Sequence, residues 1–252
     1  MDPARAEALQ VALGHAPNLR SGDPLPPFFH QIYFWSPLPP VALGRDGHPA
    51  RGNGLVPDMG LPRRMWAGGR LRFEAPLRAG VPASRTSVCE SSTRKEGRSG
   101  LLALVTLRHE IRQDDRPCVT EWQDLVYRRD PDPAAPAPVA PTARSDETER
   151  REMSFDAVLL MRYSALTFNG HRIHYDIDYA RDVEGYANLV VHGPLLAQIL
   201  MLAAADHFGP LSEFSYRATS PLLLGETAEI CRAGRDFWVR GPNGRQCMQG
   251  RA

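Results

Sequence analysis

The chain has 252 residues, 42% hydrophobic and 23% charged, with a formal net charge of +1. That length holds one large or two small domains, and the composition is that of an ordinary globular protein. The near-zero charge argues against bulk nucleic-acid binding or an acidic tail. Lys95 is the only lysine. Arginine, which grips phosphate and carboxylate bidentately, supplies the other basic charge, although coding bias explains this equally simply. Cys89, Cys118, Cys231 and Cys247 lack CxxC spacing, so zinc and redox motifs are not expected and free thiols in a reducing cytoplasm are. The N-terminal MDPARAEALQVALGH lacks the apolar run of a signal peptide or membrane span.

Along the chain, Pro3 to Leu13 reads as a short amphipathic helix, followed by the proline-rich loop SGDPLPP. FFHQIYFW is apolar and aromatic and suits a short helix or a strand. LGRDGHPARGNG is a turn-rich loop. Its Asp46 and His48 invite a catalytic reading, but bracing a glycine-rich loop is the favoured role. RRMWAGG leads into three long strands bounded by turn residues, expected over Ser84–Arg94, Leu101–Arg112 and Cys118–Tyr127. This is an antiparallel meander. Asp130 to Arg150, rich in proline and alanine, predicts an extended mobile linker. It divides the chain into 1–129, 130–150 and 151–252.

The chain is organised around Tyr163 to Phe208. Its first part is crowded with Tyr163, Asn169, His171, His174 and Asp176. Its second part predicts a helix from Pro194 to His207, apolar on nearly every side and therefore buried. That helix is too short for a bilayer, which takes about 20 apolar residues. Gly209-Pro210 stops it. His192-Gly193-Pro194 opens it, with proline at a position that needs no N–H and free N–H groups suited to developing negative charge. Strands are expected near Ser212–Thr219, Glu226–Arg232, Arg235–Arg240 and, after the turn Gly241-Pro242-Asn243-Gly244, Arg245–Gln249.

The order NxHxIHYD, short connecting helix, VVHG, apolar helix, antiparallel strands resembles the MaoC-like hydratases of the hotdog fold. YSALTFN, HRIHYD and LVVHGPLLA, with FFHQIYFWSPLP, LGRDGHPARG and LPRRMWAGGRLRFEAPLRAG, are similar to the hydroxyacyl-thioester dehydratase type 2 and mesaconyl-C4-CoA hydratase (itaconyl-CoA hydratase-like) group. The resemblance implies an α+β double hotdog, two curved antiparallel sheets each wrapping a central helix and joined edge to edge. The site of its first unit is degenerate. It also implies an acyl-CoA hydro-lyase, a homodimer, no cofactor beyond the coenzyme A of the substrate, and no metal. A His171, His174 and Asp176 metal site is possible on residue types alone.

Members of the wider family carry D-x-N-P-x-H. Matching its final histidine to His174 puts Asn169 where the aspartate would be and His171 where the asparagine would be. Asn169 cannot take a proton, so it would orient water or thioester. His174 is the expected general acid/base. Tyr163 and Asp176 are candidates to orient a histidine. Water adds to a C=C bond only if charge can build on the thioester oxygen, and the Gly193 N–H is placed to receive it, a donor worth about 3 kcal/mol. The expected substrate is a C5 dicarboxylic enoyl-CoA, itaconyl-CoA or mesaconyl-C4-CoA, giving citramalyl-CoA. Its carboxylate needs a cation, for which Arg64 and Arg172 are the candidates, with Trp66 and His192 as further substrate contacts. A fatty 3-hydroxyacyl-thioester dehydratase and a non-catalytic acyl-CoA-binding hotdog protein are the competing readings.

Overall fold

The computed structural model describes residues 1–50, 52, 54–97, 100–132 and 139–252. Helix α1 (Pro3–Ala12) begins with Pro3 at its first position and with Asp2, whose side chain accepts from the Ala4 N–H at 2.9 Å. FFHQIYFW forms a 3-10 turn at Phe29–Ile32. Four long strands follow: β1 (Arg63–Phe73), β2 (Ser84–Gly97), β3 (Gly100–Gln113) and β4 (Arg116–Arg128). In β3 burial alternates residue by residue, the signature of a strand with one face on a core. The second half carries β5 (Glu149–Ser154), α2 (Ala157–Thr167), α3 (Gly193–Phe208), β6 (Glu213–Ala218), β7 (Thr227–Ala233), β8 (Asp236–Arg240) and β9 (Gln246–Arg251).

All nine strands form one antiparallel sheet in the order β2-β3-β4-β1-β6-β9-β8-β7-β5. The halves join edge to edge at β1 and β6, from Gly68 opposite Arg217 to Arg72 opposite Glu213. Two glycines permit this seam. A Cβ on Gly68 would lie 2.6 Å from the Tyr216 carbonyl oxygen, and one on Gly69 2.7 Å from the Tyr216 hydroxyl oxygen. The register of β1 against β4 slips between Trp66 and Gly68, and the Trp66 Nε1–H bridges the slip to Gly68 O at 3.0 Å and Tyr216 Oη at 2.9 Å.

Helix α3 packs on β1, β6, β8 and β9. Leu195, Leu196, Ile199, Leu200 and Met201 are all buried in one core with Phe214, Phe237, Val239 and Met248. At Gly250 a Cβ would collide with the Phe214 ring at 2.7 Å, so the helix-facing surface of β9 is filled to contact. In the first half Phe28, Phe29 and Ile32 join that core with Leu71, Ile111 and Val119. Among the described residues no helix is long and apolar enough to cross a membrane.

Two features depart from the sequence reading. The expected linker does not run free to Arg150. Residues 133–138, at its centre, lie outside the described residues, but from Pro141 onward the chain is docked: Gln246 N–H donates to Pro141 O at 2.8 Å, Ala143 N–H to Gly244 O at 2.8 Å, and Arg240 pairs with Glu147 at 2.5 Å. Glu149–Ser154 then pairs with β7 as the edge strand. Its sequence ERREMS shows no apolar alternation because nearly all of it faces solvent. The second departure is α2, which makes YSALT helical. Asp156 caps it by accepting from the Leu159 N–H at 2.7 Å, and Phe168 ends it in the left-handed region at φ 52°.

Candidate active site

The site is built on the segment after α2. Phe168 turns the chain, the Asn169 N–H donates to Ser164 O at 2.8 Å, and Asn169 Oδ1 accepts from the His171 N–H at 3.0 Å. The acceptor end of the Asn169 amide is therefore engaged in holding the turn. A 3-10 turn follows at Arg172–His174. Ile173 O accepts from the Val190 N–H at 2.9 Å, and Val190 O lies 2.7 Å from His174 Nδ1. A carbonyl only accepts, so His174 carries its proton on Nδ1 and presents a bare Nε2.

The first half reaches over to this segment. Gly47 and Gly170 meet backbone to backbone: a Cβ on Gly47 would sit 2.0 Å from Gly170 O. The Arg172 N–H donates to Asp46 O at 2.9 Å and the Arg172 Nη1–H to Arg45 O at 3.1 Å. The Gly44–His48 loop is thereby fastened to the histidine segment, and four imidazoles fall in sequence. Ring centroids are 4.4 Å apart from His48 to His171, 5.4 Å from His171 to His174, and 3.6 Å from His174 to His192, the last two stacked at 19°. Asp46 accepts from the His48 backbone N–H at 3.1 Å and from its ring Nδ1 at 3.0 Å. Asp46 and His48 do brace the loop, and they also stand at the site, a placement that the sequence reading did not assign. Only the GRDGH spacing hinted at it.

Electrostatics keep the imidazoles neutral. Burial, with the charges of His48 and then His174, pushes His171 down to about 2. Burial pushes His174 down to about 4, against the pull of the Val190 carbonyl. His192 falls well below the ordinary range through burial and the neighbouring His174. His48 is lowered by burial and by Arg64, against Asp46. Burial alone would raise Asp46, but hydrogen bonding from His48 holds it below the usual carboxylate range.

The other expected residues separate into groups. Tyr163 is buried with its hydroxyl unpartnered, its ring 5.1 Å from that of His192. Burial, and then Glu121, raise its pKa far above normal. It orients no histidine. Ser164, the next residue, does so instead, with Oγ 2.8 Å from His192 Nε2. His192 Nδ1 is buried without a partner. Asp176 faces away: it accepts from the Tyr179 N–H at 3.0 Å and pairs with Arg172 at 2.7 Å. The i, i+4 spacing of the latter pair places both on one turn, and Arg172 also stacks over Tyr179 at 4.3 Å. Arg172 is thus engaged, whereas Arg64 has no carboxylate within ion-pair distance among the described residues. The charge of Arg64 acts on Tyr127, His48 and His171. Gly193 is the first residue of α3, and no side chain caps that end. Trp66 lies beside it, with Trp66 O 3.8 Å from where a Gly193 Cβ would be. The indole N–H of Trp66 is already taken at the seam. Asp46, His48 and His171 place potential ligand atoms within 4.8 Å of one another. Asp46 Oδ2 and His48 Nδ1 are bonded to each other, so the arrangement reads as a hydrogen-bonded dyad, not a cation cage.

A cluster of neutral imidazoles beside an uncapped helix start suits proton transfer at a carbonyl compound. The family profile for hydroxyacyl-thioester dehydratase type 2 matches residues 28–224. The chain belongs to the hydroxyacyl-thioester dehydratase type 2 family. It is 49% identical to the mesaconyl-C(4)-CoA hydratase of Chloroflexus aurantiacus over 250 residues, covering 96% of this chain and 86% of the relative. It is 27% identical to the mitochondrial hydroxyacyl-thioester dehydratase type 2 of Schizosaccharomyces pombe, covering 82% and 77%. Among solved structures, HtdX of Mycobacterium tuberculosis superposes with a TM-score of 0.71 at 17% identity, covering 100% and 95%. A Mycobacterium tuberculosis protein described as a double hotdog gives 0.60 at 15%, covering 100% and 91%. The fold is the double hotdog, and the family member is a hydro-lyase acting on CoA thioesters.

Proposed function

We propose that the chain adds water to a C5 dicarboxylic enoyl-CoA, itaconyl-CoA or mesaconyl-C4-CoA, to give citramalyl-CoA. The observation that carries this reading is Arg64: a cation without an ion-pair partner among the described residues, close enough for its charge to act on His48 and His171. A carboxylate taken out of water needs such a partner. The name of the Chloroflexus aurantiacus relative, a mesaconyl-C(4)-CoA hydratase, supports the substrate class.

In this reading, with mesaconyl-C4-CoA, whose double bond is conjugated with the thioester, His174 Nε2, bare because Nδ1 faces Val190 O, takes a proton from water and returns it to Cα. The Gly193 N–H at the helix start receives the enolate oxygen. Tyr163, buried with a free hydroxyl, is a donor for a thioester oxygen. Asn169 acts by holding the His171 turn. The working form is taken to be a cytoplasmic homodimer with no resident cofactor or metal.

The test is Arg64→Ala assayed with mesaconyl-C4-CoA and crotonyl-CoA. The expected outcome is loss of citramalyl-CoA formation with crotonyl-CoA hydration retained. Equal loss on both would return the fatty 3-hydroxyacyl-thioester dehydratase reading to the front; the yeast relatives of that name keep it in view.

A further inference from the structure

Asn169 stands where the wider family's motif has a carboxylate, and an amide neither gives nor takes the proton in question. A carboxylate is nevertheless present in space. Asp46 arrives from the first half on a loop fastened to Gly170 and Arg172, and it carries His48 with it. We propose, on the hydratase reading above, that His48 is a catalytic residue whose Nε2 accepts one O–H of the attacking water while His174 takes the other proton, and that Asp46 is its positioning residue.

Ionised Asp46 only accepts, and both of its oxygens are occupied by His48, one by the backbone N–H at 3.1 Å and one by the ring at 3.0 Å. The ring proton therefore sits on Nδ1, and Nε2 is a bare acceptor with no partner among the described residues. The His48 ring lies against His171, which lies against His174. Burial and Arg64 keep His48 neutral, so its lone pair stays available. The two rings, one from each half, both pack against His171 and each carries a bare Nε2, and one water offers them two hydrogens.

The step balances without another reactant. The water oxygen forms a bond to Cβ as His174 Nε2 takes one hydrogen. The C=C π pair moves into an enolate whose oxygen meets the α3 start. The enolate collapses and takes the His174 proton at Cα. The second hydrogen stays on the new hydroxyl, held by His48 throughout, and both histidines end neutral.

The experiment compares wild type, His48→Ala, His48→Gln, Asp46→Asn and His174→Ala on mesaconyl-C4-CoA and crotonyl-CoA, with melting curves and a chelator control. His48→Ala is expected to lose about 10²-fold in kcat, with KM and melting unchanged. His48→Gln should retain more, because its amide oxygen accepts the same O–H. In Asp46→Asn the amide NH2 must face one of two donors, and the ring yields by swapping tautomer. The expected loss there is about 10- to 100-fold in kcat at constant KM. A kcat for His48→Ala within about threefold of wild type, alongside an inactive His174→Ala, overturns the proposal and leaves the hydratase reading standing. Should His48→Ala not fold, Asp46→Asn decides, and native melting with unchanged kcat overturns it. Activity lost to chelator and restored by zinc alone overturns it in favour of a metal centre. If wild type hydrates neither ester, the underlying reading falls and the proposal with it.

Discussion

Two histidine–carboxylate pairs of the molecule, His30–Glu121 and His48–Asp46, differ in what surrounds them. In the first-half core, His30 Nε2 lies 2.9 Å from Glu121, and the Gln31 amide donates to both Glu121 oxygens at 2.9 and 2.8 Å. His109 is closed off in the same way, with Nδ1 on Ser87 at 2.7 Å and Nε2 on Gln123 at 3.2 Å. Burial opposes the charge on Glu121, yet the His30 hydrogen bond holds its pKa below normal. Both Glu121 oxygens and both His109 nitrogens end on protein there, while His30 Nδ1 has no partner among the described residues. At Asp46–His48 and His174 each ring has one nitrogen committed and one bare. The pair left 3–4% exposed reads as structure, and the one left 14–19% exposed, at the head of a run of further imidazoles, reads as a place for substrate. Residue type alone does not tell them apart.

Mutations can break this contrast. The largest effect is expected at the open end: His174→Ala should lose roughly 10²–10⁴-fold in kcat with KM and melting nearly unchanged, measured by steady-state kinetics and calorimetry. Loss of the fold instead would show that His174 is structural like His30. Next, Glu121→Ala should destabilise by about 1–3 kcal/mol, because His30 and Gln31 are left buried without their acceptor. Denaturant titration measures this, and the turnover of the folded fraction should persist. A Glu121 variant with native stability but no activity would reverse the two assignments.

The pH dependence sharpens the same contrast. His174 lies at about 4 in the folded protein, against an ordinary histidine value near 6.5. Between those values the unfolded chain binds more protons, so stability from this group is full above about 6.5 and is lost as pH falls toward 4. Activity should hold through neutral pH and fall as His174 Nε2 becomes protonated. A pH–rate profile with its acid limb near 6.5 would place His174 in water rather than in the buried stack with His192. The smallest effect is at Arg172. Its bonds to Asp176 and Arg45 O fasten the loop, so Arg172→Ala should lower turnover on both esters alike and modestly. A loss confined to the dicarboxylic ester would make it, not Arg64, the carboxylate partner.

Much of the fold was legible. Long runs of alternating or apolar residues bounded by glycine and proline placed β2, β3, β4 and β6–β9 within a few residues, and the all-round apolar stretch placed α3. What escaped notice lacked that signal. β5 is polar on both faces because it is the sheet edge. α2 exposes Val158 and Met161 and buries only Leu160, Tyr163 and Ser164, so its apolar residues do not mark one face. His171, His174, Asn169 and Gly193, expected at the site, lie in one segment, because short-range spacing holds them together. Asp176 and Arg172 take the structural role among those open to them, because an i, i+4 pair and a bond to the Tyr179 N–H engage them locally.

The chain's own periodicity thus determines the strands, the buried helix and the identity of the groups that can move a proton. Only tertiary structure decided which of those groups are free to do so. Asp46 and His48 lie more than a hundred residues before His171, and they reach it because two glycines let backbones touch. Whether a nitrogen is bare or bonded depends on which carbonyl, carboxylate or hydroxyl the fold brings within hydrogen-bond distance.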